Sequence, residues 1–273
     1  VILPEGLENI EDEAFKNSTL AKIDLTNVKF LGNKVFEFSE LGEITYSKYL
    51  TYIPERCFRG SNLAEFEIPK QVTALKTGCF EGTNLDIKDI SELDEGVYQN
   101  CENLESVTIS GDRAIPDRLF SGCKNLKNVT IDEGITAVGD STFFKTAVEK
   151  IILPSTVIVV RSDAFRECGQ LREVILNDGL KTIAESAFKR TENLSEISIP
   201  DSVKHISSGC FACSGIKSVK LPENSAFTSI LWETFFGCKN LETVKLPDSI
   251  NIIDYYAFSE CTSLMSINLD KVQ

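Results

Sequence analysis

The chain has 273 residues, with 28 Lys or Arg against 41 Asp or Glu, and a formal net charge of −13. Such an acidic field repels a phosphate backbone, so nucleic acid is not expected as a partner. No run approaches the ~20 apolar residues of a membrane span, and Val1-Ile2-Leu3-Pro4-Glu5 has neither the basic nor the apolar region of a secretion leader.

One unit recurs along the whole chain, and internal repetition outranks local propensity in deciding a fold. It is plainest over residues 150–173: Ile151-Ile152-Leu153-Pro154, then Val160, then Ala164-Phe165, Cys168 and Leu171. The anchor that closes each unit falls at Leu20, Leu41, Leu63, Leu85, Leu104, Leu126, Val148, Leu171, Leu194, Ile216, Leu241 and Leu264. About twelve units therefore make a single domain over 1–273. The chain opens mid-repeat without an initiator Met, so it is expected to be a fragment of a longer or processed protein.

After each anchor comes a short strand, as in Lys22-Ile23-Asp24, Ser106-Val107-Thr108, Glu196-Ile197-Ser198 and Thr243-Val244-Lys245. Apolar and polar residues alternate there and β-branched residues are common, which suits a half-buried strand. One strand per unit in a constant direction predicts a parallel sheet. Pro69, Pro154, Pro200, Pro222 and Pro247 follow, and a residue without an N–H ends the ladder. A return segment then carries an aliphatic plug, such as Ile53, Val138, Val160, Ile183 or Ile206. The next step is aromatic in every unit: Phe15, Phe36, Phe58, Phe80, Tyr98, Phe120, Phe143, Phe165, Phe188, Phe211, Phe235 and Phe258. Stacked rings at one equivalent site predict a continuous spine, each burying ~150–250 Å2. Runs such as Arg161-Ser162-Asp163-Ala164-Phe165 suit one helical or 3₁₀ turn on the outer side.

Cysteine numbers nine. Cys101, Cys123, Cys168, Cys213, Cys238 and Cys261 stand three residues before the anchor, and Cys57, Cys79 and Cys210 precede the ring. All nine are expected to be free thiols buried as small hydrophobes. A zinc site needs ligands that converge on one point, whereas a ladder spreads them along an axis; no metal and no cofactor is expected. Two units depart from the frame. The one ending at Leu104 is short, with Lys88 where an apolar strand residue is expected, and the one ending at Leu241 is long, with Asn224–Thr228 inserted and Trp232 just after.

The units Ile-x-Leu-Pro, Ala-Phe, Cys and Leu, best kept at 153–171 and 246–264, resemble the BspA-type (Treponema-type) leucine-rich repeat. The resemblance covers 3–269 and implies an α/β, β-rich leucine-rich-repeat solenoid. Such a fold is a right-handed superhelix with a parallel concave sheet and short strand, 3₁₀ or helical turns on the convex side. It further implies an extracellular or cell-surface location, in a secreted or surface-anchored protein, and a role in adhesion to host extracellular-matrix or surface proteins.

Catalytic chemistry is not expected. The single histidine, His205, has Ser207 and Ser208 near it in sequence but no geometry that aims it at a nucleophile. Acidic residues are scattered rather than paired in a cleft, and no phosphate loop, EF-hand or HExxH motif appears. The solenoid's usable surface is its concave sheet. There the outward residues run from acidic (Asp24, Glu43, Glu65, Glu67) to basic (Lys220, Lys245). Ile152 and Ile175 fall in equivalent slots of adjacent strands, ~4.8 Å apart across the ladder. The candidate partner-binding residues are Lys150, Ile152, Glu173, Ile175, Glu196, Lys220 and Lys245. A monomer that binds protein through this face is expected. The alternatives are a spacer or display stalk, and a glycan- or peptide-binding accessory to an enzyme domain outside this segment.

Overall fold

The structure is a computed structural model that describes residues 2–63, 66–83 and 93–269. Lys88, Glu65 and the anchor Leu85 therefore lie outside the described residues. Contacts group the chain into two compact units. The first runs to Val107 and takes in Pro116–Leu126; the second takes Thr108–Ile115 and continues from Lys127. Both are stacks of parallel β-solenoid coils, and among the described residues neighbouring coils are hydrogen-bonded on three faces.

The first face is the strand after the anchor. Lys150–Ile152, Glu173–Ile175, Glu196–Ser198 and Ser218–Lys220 each read exposed, buried, exposed, the alternation of a sheet with one dry side. Parallel register puts Ile151 opposite Val174 and Ile197 opposite Val219. In the first unit Lys22–Asp24 pairs with Glu43–Thr45 in the same way.

The second face was not legible in the sequence. The return segment holds a second parallel sheet of two-residue strands. In the second unit its five members are Ala114–Ile115, Ala137–Val138, Val159–Val160, Thr182–Ile183 and His205–Ile206. The second residue of each is buried, so the predicted plugs are the inward members of strands. Two residues are too few to display a period of two.

The third face replaces the expected helical turn. No α- or 3₁₀-helix occurs among the described residues. Instead, alternate residues around each ring donate N–H to the next coil, as in Asp163 to Glu185 O (2.9 Å), Phe165 to Ala187 O (2.8 Å) and Glu167 to Lys189 O (2.8 Å). The residues between them close local turns, Arg166 to Asp163 O and Cys168 to Phe165 O. To aim every second N–H along the axis, the backbone takes positive φ two residues before and two after every ring, for example 55° at Asp163 and 60° at Glu167. A left-handed non-glycine residue costs ~1–2 kcal/mol. It persists where, as at Asp163, Glu167, Ser186 and Arg190, the residue's N–H closes a hydrogen bond between coils that would otherwise leave a donor unpaired.

The rings stack as expected. Phe15, Phe36, Phe58, Phe80, Tyr98 and Phe120 form the ladder of the first unit, and Phe143, Phe165, Phe188, Phe211, Phe235 and Phe258 that of the second. In the second unit neighbouring ring centroids are 5.3 to 5.7 Å apart with nearly parallel planes. Glu37, beside the first ladder, is buried and held between Lys16 (2.9 Å) and Arg59 (3.2 Å). Burial pushes its carboxyl up, but the hydrogen bonds from Lys16 and Arg59 outweigh it and hold it below the usual carboxylate range.

The thiols do more than fill space. Cys101, Cys123, Cys168, Cys238 and Cys261 each donate S–H to the carbonyl of the ring residue one coil back, Cys168 to Phe143 O at 2.9 Å and Cys238 to Phe211 O at 3.1 Å. Burial raises Cys168 to about 11 and Cys238 to about 12, so neither forms thiolate at neutral pH. Cys213 is a correction to the expected slot. From Phe211 to Ile216 there are five residues where the other cysteine units of this kind have six, so Ser214 takes the ladder position beside Cys238 (3.4 Å). Cys213 is left half-buried at φ 57°.

All nine cysteines are free. A thiol titration under denaturing, non-reducing conditions should therefore find nine, and five or fewer would refute a thiol ladder. In the native protein Cys213 and Cys261, the two that are not fully buried, should label before the other seven, since access limits the rate.

Candidate functional site

The seven residues singled out on the first sheet are all solvent-exposed. Ile152 stands directly opposite Ile175 and Lys150 opposite Glu173, the register expected from their slots. Relative exposures of 51% and 43% make the two isoleucines an apolar pair on a polar sheet. A strand position that points outward is ordinarily polar, so contiguous exposed aliphatics mark a contact surface better than single ones do. The Lys150 ammonium lies 3.0 Å from the Glu173 carboxylate and borders the pair with a neutralised edge.

The other members are less uniform. Lys245 pairs with Glu223 at 3.3 Å on the turn side of its strand. Lys22 likewise pairs with Glu43 in the first unit. Neighbours thus partly cancel the charges that a reading along the sequence arranges as an acidic-to-basic run. Glu196 and Lys220 make no ion pair with a described residue, and Lys220 sits opposite Ser198.

A discontinuity in the sheet lies beside the isoleucines and has no sequence signal. The strands Asn128–Ile131, Lys150–Ile152 and Glu173–Ile175 belong to one sheet, and Glu196–Ser198 begins another. Glu173–Ile175 and Glu196–Ser198 lie close but are not paired in register. An open groove of about 500 Å3 occupies this seam, lined by Ile175, Leu176, Ser198, Pro200, Asp201 and Lys220 among others. A second groove, about 660 Å3, lies on the other side and is lined by Thr130, Asp132, Lys150 and Ile152. The paired isoleucines form the ridge between them.

The remaining candidates stay apart from this face. His205 is exposed on a strand of the second sheet, opposite Thr182. No group of three His, Cys, Asp or Glu residues among those described could hold a metal ion, and no helix is long and apolar enough to cross a membrane. The insertion 224–228 is a packed turn. Asn224 donates to Asp201 O (2.9 Å) and Val203 O (2.7 Å) and accepts from the Ala226 N–H, and Phe227 is buried.

Comparison with known proteins gives consistent results. The family model described as BspA type leucine rich repeat region (six copies) matches residues 1–86, 83–171 and 136–265. A crystal structure of a leucine rich cell surface protein from Faecalibacterium prausnitzii is similar at 22% identity and TM-score 0.50, covering 96% of this chain and 82% of that one. A leucine-rich repeat protein from Bacteroides ovatus gives 19% identity and TM-score 0.52, covering 95% and 82%. One from Eubacterium ventriosum gives 17% and 0.52, covering 97% and 70%. At these identities the likeness concerns the fold. No curated protein sequence matches the chain.

Proposed function

The chain belongs to the BspA-type leucine-rich repeat family, and from that premise we propose that it is a non-catalytic protein-binding module of a cell-surface or secreted protein, suited to adhesion. Repeat solenoids present extended surfaces that typically engage other proteins. The observation that carries the proposal is the exposed ridge of Ile152 and Ile175, in register and flanked by two grooves. An apolar centre with a polar rim is how protein interfaces concentrate their energy. Lys150 and Glu173 supply the near rim, and Glu196, Lys220 and Lys245 the far one. The surface location is supported by the description of the Faecalibacterium prausnitzii structure as a cell surface protein. A host extracellular-matrix or surface protein is the proposed partner.

The test is a binding screen of the chain against extracellular-matrix and cell-surface proteins, repeated with Ile152→Asp combined with Ile175→Asp. Both side chains are only half covered, so the fold should persist, with the thermal midpoint lowered slightly by the two facing carboxylates. Affinity for any partner found should fall by about 100-fold, since two central contacts each worth ~1.4 kcal/mol give that factor. Unchanged affinity would remove this ridge as the site. A screen with no partner at all would favour a spacer.

A further inference from the structure

We propose a second binding site at the corner formed by Trp232, Tyr255 and Tyr256, which takes the cationic side chain of an arginine- or lysine-bearing protein segment. Trp232 and Tyr255 stand three residues before the rings Phe235 and Phe258, so they occupy the same slot of successive coils. Their centroids are 5.8 Å apart with planes inclined at 34°, and Tyr256 meets Tyr255 at 5.4 Å and 67°. All three are exposed, at 38%, 64% and 57%. They leave the coil beyond the second sheet, on a different face from the isoleucine ridge.

Three observations select a cation. The ring planes are mutually inclined, so they offer no flat platform for a sugar ring or a base, whereas a compact charge can meet several π faces. Carboxylates adjoin the rings in sequence: Glu233 follows Trp232, and Asp254 precedes Tyr255 and accepts its N–H at 2.7 Å through one oxygen; neither forms an ion pair with a described residue. The chain also shows what its exposed rings do where a cation is within reach. Arg59 covers Phe38 at 5.2 Å, Lys145 covers Phe144 at 4.8 Å and Lys48 covers Tyr49 at 5.1 Å. Among the described residues no Lys or Arg covers Trp232, Tyr255 or Tyr256. The net charge of −13 attracts a basic segment to the chain as a whole, and Glu233 and Asp254 supply the negative charge nearest in sequence to the rings. A guanidinium can stack on the indole while its edge N–H groups reach a carboxylate.

The chain has one tryptophan, so its fluorescence reports on this corner alone. The experiment titrates it with a blocked Gly-Arg-Gly-Arg-Gly peptide and with the same peptide carrying citrulline, which keeps the shape and removes the charge. The arginine peptide should give a saturable change that weakens with added salt. The citrulline peptide should bind at least tenfold more weakly, and Tyr255→Ala should weaken the arginine peptide by at least tenfold. Glu233→Gln with Asp254→Asn should weaken it too, at an unchanged thermal midpoint. The Ile152→Asp, Ile175→Asp chain should respond as the wild type does, which separates this site from the ridge. The proposal is overturned by equal responses to the two peptides, by no saturable response, by a neutral oligosaccharide such as chitotriose matching the arginine peptide, or by an unchanged response in Tyr255→Ala.

Discussion

Phe188→Ala should lower the stability of the chain by about 4 kcal/mol, within the ~3–5 kcal/mol range of buried phenylalanine truncations. The ring is fully buried and lies between Phe165 (5.3 Å, 7°) and Phe211 (5.7 Å, 6°). Its removal opens a cavity in a column where both neighbours are held by coil-to-coil hydrogen bonds and cannot close in. Each stacked contact adds ~0.5–1.5 kcal/mol beyond area burial, and both are lost together. In a repeat array stability is a sum of unit and nearest-neighbour interface terms, so position matters. Phe258, half-buried with a described stacking partner only in Phe235, should cost clearly less on truncation. Denaturant unfolding of the two variants checks this: similar losses at both positions would show that the rings do not act as a ladder.

The second large effect falls on a residue with no side chain. Gly215 stands where the chain passes from Phe211 to Ile216 in five residues, and its N–H donates to Thr191 O at 3.0 Å. A Cβ there would overlap both atoms of the Glu192 carbonyl. That obstacle is backbone, so relief requires the coils to separate. Gly215→Ala should therefore destabilise by about 3 kcal/mol, the upper end of ordinary overpacking costs. Gly169 supplies the control, because nothing lies within 4 Å of an added Cβ and its φ is not positive. Gly169→Ala should be neutral or stabilise by up to ~1 kcal/mol through the unfolded chain. Thermal melts of the two variants decide the matter, and equal effects would contradict the close approach at Gly215.

Much of the coil was legible because burial leaves a periodic mark. Leu41, Leu63, Leu104, Leu126, Leu171 and Leu241 are all fully buried, as their spacing required, and the described strands after Leu41, Leu104, Leu126, Leu171 and Leu241 alternate as written. What could not be read was set by the backbone rather than by residue type. The positive-φ positions hold Lys34, Phe38, Arg56, Asp163, Cys213 and Tyr256 among others. Glycine fills several of these slots, Gly60, Gly78, Gly82 and Gly122 among them, and is their one compositional mark; the other side chains give no sign, because the demand comes from N–H groups aimed at the next coil. Cys213 was misplaced for a related reason: counting back from the anchor and counting forward from the ring agree only when the loop between them keeps its length. At the candidate site the register of Ile152 with Ile175 was legible, since equal slots in parallel strands must face each other. The seam beside them was not, because Glu196-Ile197-Ser198 has the same alternation as strands that do pair. Trp232 stood out only as an oddity near an insertion; its meeting with Tyr255 needed the coils to be stacked.

Native-state amide hydrogen exchange tests the central claim, that the turn around each ring is a hydrogen-bonded face of the coil and not a surface loop. The N–H groups of Phe165, Phe188, Phe211 and Phe235 donate to Ala187, Cys210, Thr234 and Ala257. They should exchange at least ~10⁴-fold more slowly than unstructured amides, as core positions do when only near-global opening exposes them. Those of Glu192 and Asn193, with no acceptor among the described residues, should exchange fast. Ring-residue amides that exchange as quickly as Glu192 and Asn193 would contradict the account.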